Sequence, residues 1–523
     1  MRTRLSVFIV LVLIGAFLNS PATTAGSGTW QQLQNVPNFN PNHEILLTDG
    51  SVLFGDNGPL QAGSPGWYLL QPDSQGSYVN GSWTQVASMP NNYSPANAAS
   101  GVLPDGRVIV EGGDMNGTST YVGENLGAIY DPIANTWTMV SPPNNGQGEF
   151  ASISDAPSAI LSDGTFMIGP SGNGSSTDTN QQEVALLDET SMTWKVIEPT
   201  GRKGMNPEAG FNLLPNGNVL TIPTNIPDLK ISEIFNPSTD TWSSQPLPVS
   251  LIDPITTGAG GNDGEIGPAT LLPDGKLFAE GSNGNTAIYD TNSGIWSTGP
   301  AMPTVNGKVD TAVDAPSAIL PDGNLLMELS PIDPSRGDST TPAHFFIFDG
   351  SSITQIVDPP SGASLDRVGS NSGRMIVLPN GQALFNARMG SQGLFVYSDA
   401  GKPNSAWLPT ITNVAKDLIA NSTYTLAGTQ LAGLTSGSNF GDDWNPNTNY
   451  PLVQITNNAT GEVSYARTFD IGSYSVAPGI ASSTKFQLPI GIRNGPSSLR
   501  VIASGFASKP VMANVSGGIP LPT

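Results

Sequence analysis

One short turn sequence recurs seven times along the chain. Each copy has a leucine, one variable residue, an aspartate or asparagine, and a glycine, and each follows a short apolar run. The turn glycines lie 48 to 58 residues apart, at Gly50, Gly106, Gly164, Gly217, Gly275, Gly323 and Gly381. Glycine supplies the positive φ that a tight hairpin needs. A fixed period of this size in an all-β pattern predicts a propeller of seven blades, with one four-stranded sheet per period.

One period can be divided into its four strands. The innermost strand is predicted at residues 99–103, and the next three at 107–111, 127–131 and 136–140. Alternating apolar residues and β-branched residues favour a strand in each range.

A second repeated pattern marks the outer hairpin of four periods. A large apolar residue is followed seven positions later by tryptophan, in Tyr130 and Trp137, Leu187 and Trp194, Phe235 and Trp242, and Tyr289 and Trp296. Large side chains at such positions fill the wedge between neighbouring sheets, so we interpret these pairs as core packing.

The two ends of the repeat region are predicted to join. Trp30 precedes the first turn, and only two strands, at 382–386 and 394–397, follow the seventh turn before the pattern ends. We therefore expect the segment around Trp30 to supply the missing outer strand of the last blade. A ring closed in this way leaves no unpaired edge on that blade.

The chain divides into three predicted parts. Residues 1–25 have Arg2 and Arg4 before an apolar run at 5–18 and small residues at 23–25, the pattern of a secretory signal peptide. The propeller is assigned to residues 26–406. Residues 407–523 lack the repeated turn, and their alternating strands are typical of an immunoglobulin-like sandwich. No other stretch approaches membrane-spanning length, so we expect a secreted, extracellular protein without a membrane span.

Composition excludes several classes of function. The formal net charge of −22 argues against nucleic acid as a partner, because that interaction requires basic patches. The chain has no cysteine and only two histidines, His43 and His344. Thiolate metal sites, a cysteine nucleophile and a multi-histidine metal centre are therefore excluded. We expect a monomer whose partner is a carbohydrate or a cell-surface molecule.

These features together resemble the galactose oxidase and kelch superfamily. Gly112-Gly113 with Tyr130 and Trp137 is similar to a kelch repeat. Residues 440–453 and 463–468 are similar to the early-set domain that follows the propeller in those oxidases. The resemblance covers essentially the whole chain after the predicted signal peptide, and it implies the same order of domains.

The resemblance does not extend to the oxidase chemistry. Oxidases of that family use copper, a tyrosine radical crosslinked to cysteine, a Tyr-His pair before the last inner strand, and a second histidine from the C-terminal domain. Alignment on the turns puts the Tyr-His pair at Asn371 and Ser372, and the second histidine near Thr468 or Phe469. Copper is therefore not expected as a cofactor, and neither is copper-radical activity.

A set of polar residues is predicted to meet at the mouth of the central channel. In a propeller, the residue before each inner strand lies beside the channel. The residues nine or ten positions before the turn glycines are mostly carboxylates and amides, and the first blade is out of step, with Pro41, Asn42 and His43 at this level. The predicted ligand-binding residues are Asn97, Asp155, Glu208, Glu265, Asp314 and Asn371.

Two interpretations of this acidic ring remain open. Converging carboxylates raise one another's pKa or require a cation, and oxygen ligands suit Ca²⁺ or Mg²⁺. Alternatively, each carboxylate caps backbone amides at the start of its own strand.

Three functions are consistent with these residues. The first is a non-catalytic binding protein for a saccharide or a surface partner. The second is a carbohydrate-active hydrolase or lyase that uses paired carboxylates at the channel mouth. The third is a purely structural module of an exported complex. We assign no catalytic residue and no resident metal, with Ca²⁺ as the candidate cation.

Overall fold

The computed structural model describes residues 28–58, 62–171, 179–224, 230–252, 265–333, 339–360, 365–388, 390, 392–441 and 443–522. The predicted signal peptide, residues 1–25, lies outside these ranges. Nearly all regular structure in them is strand. Short 3₁₀ helices occupy Pro90–Asn92, Thr179–Gln182, Ser370–Ser372 and Ser405–Trp407. No helix within the described residues is long and apolar enough to cross a membrane.

The seven repeated turns share one local structure. In each, the glycine has a left-handed φ of 80–94°, and its N–H donates to the leucine carbonyl at 2.8–3.0 Å. The aspartate or asparagine Oδ1 accepts the N–H of the residue two positions later, for example Arg107 N to Asp105 Oδ1 at 2.9 Å. Both the glycine and the acidic or amide residue are therefore fixed by backbone geometry.

Five antiparallel four-stranded sheets follow one another along the chain, and we call them blades 1 to 5. Their strands, from first to fourth, are Pro41–Leu46, Val52–Asp56, Trp67–Gln71 and Ser82–Gln85 in blade 1; Ala99–Val102, Val108–Glu111, Gly127–Asp131 and Thr136–Val140 in blade 2; Ser158–Ile160, Phe166–Ile168, Val184–Asp188 and Thr193–Ile197 in blade 3; Asn212–Leu213, Val219–Thr221, Ile231–Asn236 and Thr241–Pro246 in blade 4; and Ala269–Leu271, Lys276–Glu280, Thr286–Asp290 and Ile295–Thr298 in blade 5. The strands predicted for blade 2 are confirmed to within one residue. A small ribbon pairs Pro95–Ala96 with Met115–Asn116 beside blade 2.

A sixth four-stranded sheet closes the arrangement and is called the closing blade. It combines Arg374–Val377, Ala383–Asn386 and Leu394–Ser398 with the N-terminal strand Thr29–Gln32. Trp30 lies opposite Tyr397 in this pairing. The expectation that the N-terminal segment completes the last blade is confirmed.

Over the described residues, the structure has six four-stranded blades rather than the seven that the turns predict. The strands around the sixth turn belong to a seven-stranded sheet instead. Its strands are Thr304–Val305, Lys308–Thr311, Ser317–Ile319, Leu325–Pro331, His344–Phe348, Ile353–Gln355 and Ser438–Asn439. The sheet is larger because Leu325–Pro331 is long enough to pair with an extra hairpin, and because Ser438–Asn439 pairs with the inner strand Ser317–Ile319.

The predicted aromatic and tryptophan pairs are all cross-strand neighbours. Tyr130 faces Trp137, Leu187 faces Trp194, Phe235 faces Trp242, and Tyr289 faces Trp296. The three aromatic pairs have ring centroids 5.0–5.2 Å apart. Their assignment to core packing is confirmed, because Tyr130, Phe235 and Tyr289 are buried.

The C-terminal strands form a separate nine-stranded sheet. It contains Thr410–Val414, Asp417–Ile419, Thr423–Thr429, Leu452–Asn457, Val463–Phe469, Ala481–Gln487, Gly495–Ala503, Phe506–Ala507 and Val511–Ser516. Its own apolar core includes Leu426, Val453, Phe486 and Val501.

Residues 438–441 and 443–450 leave this C-terminal region and run along the inner strands of the other sheets. Asn439 Nδ2 donates to the Ala269 carbonyl in blade 5 at 3.0 Å. Asn445 Nδ2 donates to the Ser158 carbonyl in blade 3 at 3.2 Å, and the Tyr450 hydroxyl donates to the Leu46 carbonyl in blade 1. We call residues 438–441 and 443–450 the central segment, since it contacts inner strands from several blades at once.

Candidate functional site

A cavity of about 270 Å³ lies where the inner strands begin, and we call it the central cavity. All eleven residues that line it have polar side chains. They are Asn97, Asp114, Asp155, Glu208, Glu265, Asp314, Asn371, Ser372, Arg374, Arg388 and Asp443. Six carboxylates and two guanidinium groups therefore share one small space. Most of these residues are half-buried, so the cavity is open to solvent.

All six residues predicted from the turn spacing line this cavity. Asn97, Asp155, Glu208, Glu265, Asp314 and Asn371 each precede the inner strand of a different sheet. The repeat places them at the same level because every inner strand has nearly the same length and is followed by the same turn. The structure thus brings together side chains that lie up to 274 residues apart in the sequence, between Asn97 and Asn371.

Three of the carboxylates lie especially close together. One oxygen from each of Glu208, Glu265 and Asp314 lies within 4.8 Å of the others. Three negative charges at such separations repel one another unless they are protonated or neutralised by a cation. Oxygen donors in this arrangement match the ligand preference of Ca²⁺ or Mg²⁺.

The backbone at the cavity adopts a conformation that most side chains disfavour. Asn97, Glu208, Asp314 and Arg388 have φ of 54°, 57°, 47° and 50°. Ser154, next to Asp155, has φ of 58°. Left-handed residues other than glycine are uncommon and concentrate at functional sites. Asn97, Glu208 and Asp314 adopt this conformation just before an inner strand begins, and Arg388 adopts it just after the strand Ala383–Asn386 ends.

Blade 1 departs from this pattern, as its sequence predicted. A β-bulge between Asn42 and Glu44 leaves His43 as an extra residue with φ of 54°. None of Pro41, Asn42 and His43 lines the central cavity. The His43 ring instead lies 5.8 Å from Trp67 and 6.1 Å from Trp444, centroid to centroid. Burial, together with the nearby Arg374 and Arg388, lowers the pKa of His43 to about 3.

Sequence reasoning missed two residues that come from the ends of second strands. Asp114 and Arg388 follow the strands Val108–Glu111 and Ala383–Asn386. In an antiparallel hairpin, the second strand ends at the level where the first begins, so both residues reach the same cavity. This rule could have identified them from the sequence.

Hydrogen bonds hold both of these residues in place. The Ser154 hydroxyl donates to Asp114 Oδ1 at 2.7 Å. Burial raises the pKa of Asp114 to about 6, and the negative charge of Asp443 adds to the effect. Asn386 Oδ1 accepts the backbone N–H of Arg388 at 2.9 Å, which fixes the turn that presents the guanidinium.

Arg374 is the most constrained cationic residue of the cavity. Its Nη1 donates to the carbonyl oxygens of Asn371 and Gly373 at 2.9 and 2.8 Å. Its guanidinium carbon lies 3.7 Å from the centre of the Phe440 ring. Phe440 belongs to the central segment, so this cation–π contact ties that segment to the closing blade.

The C-terminal region contributes one carboxylate to the cavity, Asp443. Thr468 and Phe469, near which the sequence alignment placed the second histidine, are not among the residues that line this cavity. Thr468 lies in the strand Val463–Phe469, opposite Phe486, and its N–H donates to the Thr48 carbonyl at 3.2 Å. The chain reaches the cavity through the central segment, which precedes that strand in the sequence.

The donors of the cavity do not fit the copper centre that the resemblance implies. Its lining residues offer carboxylate, amide, hydroxyl and guanidinium groups, without imidazole or thiolate. Copper sites of useful affinity require several nitrogen or sulfur ligands. Asn371 and Ser372, where alignment on the turns puts the Tyr-His pair, both line the cavity, and neither can supply that chemistry.

Two larger clefts of about 470 Å³ lie elsewhere in the described structure. One is lined by turn and edge residues of blades 2 and 3, including Asp163 and Asp188. Both carboxylates accept amide N–H groups of their own turns, at 2.8–3.0 Å. Their roles are explained by local turn structure. The other cleft includes His344, Asp358 and Arg367.

No known protein-family profile and no curated protein sequence matches the chain. The solved structures that are similar to it include two at low identity. A fungal alcohol oxidase of the AA5 family, solved in complex with copper, has 13% identity and a TM-score of 0.47, covering 94% of this chain and 100% of that one. The extracellular domain of a putative one-component system from B. thetaiotaomicron has 11% identity and a TM-score of 0.43, covering 95% of this chain and 59% of that one. At these values no residue role transfers to this chain.

Proposed function

We propose that this protein is an exported, non-catalytic binding protein whose central cavity binds a hydroxyl-rich ligand, a saccharide, together with a divalent cation. The signal-peptide pattern at residues 1–25 supports export. We further propose that the four strands around the sixth turn act as a seventh, kelch-like blade, and that the C-terminal sheet is an immunoglobulin-like module.

One observation carries the binding proposal: the predicted polar residues converge on one small cavity. Glu208, Glu265 and Asp314 supply the oxygen cluster for the cation. Asn97, Asn371 and Ser372 supply amide and hydroxyl groups that can both donate and accept hydrogen bonds. Pockets for drug-sized ligands have volumes of roughly 300–1,000 Å³. A cavity of 270 Å³ is therefore suited to one sugar unit and a cation.

The arrangement of charges supports cation binding over simple strand capping. Strand capping accounts for each carboxylate singly, whereas the repeat brings acids from different sheets together at one level. Bringing three acids from different sheets within 4.8 Å costs free energy through repulsion. A bound divalent cation offsets that cost.

A second candidate function, glycoside hydrolysis, is favoured by Asp114. Its raised pKa, about 6, is suited to a general acid, and other carboxylates of the same cavity stay available as a base or nucleophile. Release of reducing ends from polysaccharides, lost in Asp114→Asn, would support this function over binding alone.

The cation proposal is tested by thermal unfolding of the chelator-treated protein. Ca²⁺ should raise the melting temperature, with a shift that grows with the logarithm of free Ca²⁺; at 100 times Kd the stabilisation is about 2.7 kcal/mol. Asp314→Asn should abolish most of the response. Asparagine is among the residues that best tolerate the left-handed backbone at this position, so the variant should remain folded.

Asp417→Asn is the matched control, because Asp417 is exposed on the C-terminal sheet. It should respond to Ca²⁺ like the parent. An absent response in the parent, or an equal response in Asp314→Asn, would show that the three acids do not bind the ion.

A further inference from the structure

The central cavity carries positive charge as well as negative charge. The positive charge has no role in the cation binding proposed above. Arg374 and Arg388 both line the cavity and come from the closing blade or the turn that follows its second strand. Each lies close enough to perturb its neighbours, because Arg374 lowers the pKa of Arg388. Two adjacent guanidinium groups repel each other and together form a favourable place for an anion.

Arg388 is the second cationic residue that lines the cavity. Within the described ranges, its backbone N–H has a hydrogen bond, to Asn386 Oδ1, but its guanidinium forms no ion pair and no side-chain hydrogen bond. Arg388 is half-buried, with the left-handed backbone noted above. The left-handed backbone of Arg388, a conformation that arginine disfavours, thus holds its guanidinium beside the cavity.

Arg374 is the fixed member of the pair. The Phe440 ring on one face and the two carbonyl bonds of Nη1 hold its plane in one orientation. Those two bonds use only Nη1, whereas a guanidinium has five N–H donors. The pair therefore combines a rigid donor with a second guanidinium that has its full set of donors.

The electrostatics of Arg388 are consistent with an unfilled anion requirement. Burial first, and then Arg374, lowers its pKa to about 9, although Asp443, Glu44 and Asp314 act in the opposite direction. The carboxylates already present therefore do not compensate for the lost hydration of the guanidinium. A ligand anion placed between the two arginines would.

We infer that Arg374 and Arg388 form a carboxylate-binding subsite of the central cavity, and that the ligand is a saccharide carrying a carboxylate, a uronic acid. This inference rests on the proposed function. The carboxylate binds the guanidinium groups, the cation at Glu208, Glu265 and Asp314 neutralises those three acids, and the ring hydroxyls bind the amides. A monoanion is favoured over a phosphate, because six carboxylates in the same cavity repel a dianion more strongly.

The test compares three sugars that differ at a single carbon. Glucose, glucuronate and glucose 6-phosphate are titrated into the Ca²⁺-loaded full chain by calorimetry at a fixed free Ca²⁺ concentration. Hydrogen bonds to charged groups contribute about 1.5–3 kcal/mol, so glucuronate should bind roughly 10- to 100-fold more tightly than glucose. Arg388→Gln should reduce that ratio to near one, while Arg367→Gln, an exposed arginine elsewhere, should leave it unchanged.

The outcomes separate this inference from the proposed function. Equal binding of glucose and glucuronate, with an intact Ca²⁺ response, would overturn the carboxylate subsite and leave the binding function standing. Tightest binding of glucose 6-phosphate would overturn the choice of carboxylate. An intact ratio in Arg388→Gln would show that this arginine is not the recognition group. Failure of all three sugars to bind would overturn both the ligand class and the saccharide function.

Discussion

Four buried glutamates distinguish this fold at the residue scale. Glu44, Glu111, Glu280 and Glu328 are each at most 1% exposed. Burial raises the pKa of all four carboxyl groups. Burial raises the pKa of Glu44 to about 7, because Asn386 and both cavity arginines, Arg374 and Arg388, partly offset its effect. It therefore changes charge within an accessible pH range.

We expect Glu44→Gln to remove part of the pH dependence of stability. The folded pKa of Glu44, about 7, is raised above the ordinary value of 4.5. Its contribution is therefore fully present below pH 4.5 and is lost as the pH rises through 7. Relative to the variant, the parent should lose about 3 kcal/mol of unfolding free energy over this range. Urea unfolding of both proteins at pH 4.5, 6 and 8 measures it, and parallel profiles would contradict the assignment.

At the scale of elements, the repeated turns determine which residues of the cavity can be located from the sequence. Each turn fixes the level of its inner strand, so counting back from the glycine located Asn97, Glu208 and Asp314 correctly. The ends of second strands were missed because no motif marks them, although hairpin geometry determines where they lie. The central segment was not predictable in this way, since its approach to the inner strands depends on contacts such as Asn445 to Ser158, 287 residues apart in sequence.

The N-terminal strand should be essential for the closing blade. Trp30 packs against Phe345 and Tyr397 at centroid distances of 4.7 and 4.9 Å, and its Nε1 donates to the Val357 carbonyl at 2.8 Å. Because it is half-buried, Trp30→Ala should cost about 3 kcal/mol, the low end for buried tryptophan. Gln31→Ala is the control, since Gln31 is exposed and the backbone pairing is kept. Equal melting temperatures for the two variants would show that the ring does not depend on this closure.

For the whole molecule, the C-terminal region is joined to the blades by hydrogen bonds on several of their inner strands. Besides the central segment, the Tyr474 hydroxyl donates to the Val102 carbonyl at 2.9 Å, and Arg467 Nη1 donates to the Asp105 carbonyl at 3.2 Å. Tyr450 and Tyr474 are buried in the same apolar cluster as the cores of blades 1 and 2. Separation of the two regions would expose these groups, so we expect them to unfold together.

The distribution of tryptophan allows this coupling to be measured. Seven of the nine tryptophans lie in strands of blades 1 to 5 or the closing blade, and none lies in a strand of the C-terminal sheet. Tryptophan fluorescence therefore reports mainly on the blades.

Val453→Ala creates a cavity in the C-terminal core, where Val453 is completely buried, and should cost about 2 kcal/mol. If the molecule unfolds as one unit, the fluorescence-detected urea midpoint should fall with that loss, and circular dichroism should give the same midpoint. Met512→Ala, at a residue 56% exposed on the same sheet, should leave the midpoint nearly unchanged. An unchanged fluorescence midpoint in Val453→Ala, with an earlier transition by circular dichroism, would show that the blades are stable without the C-terminal region.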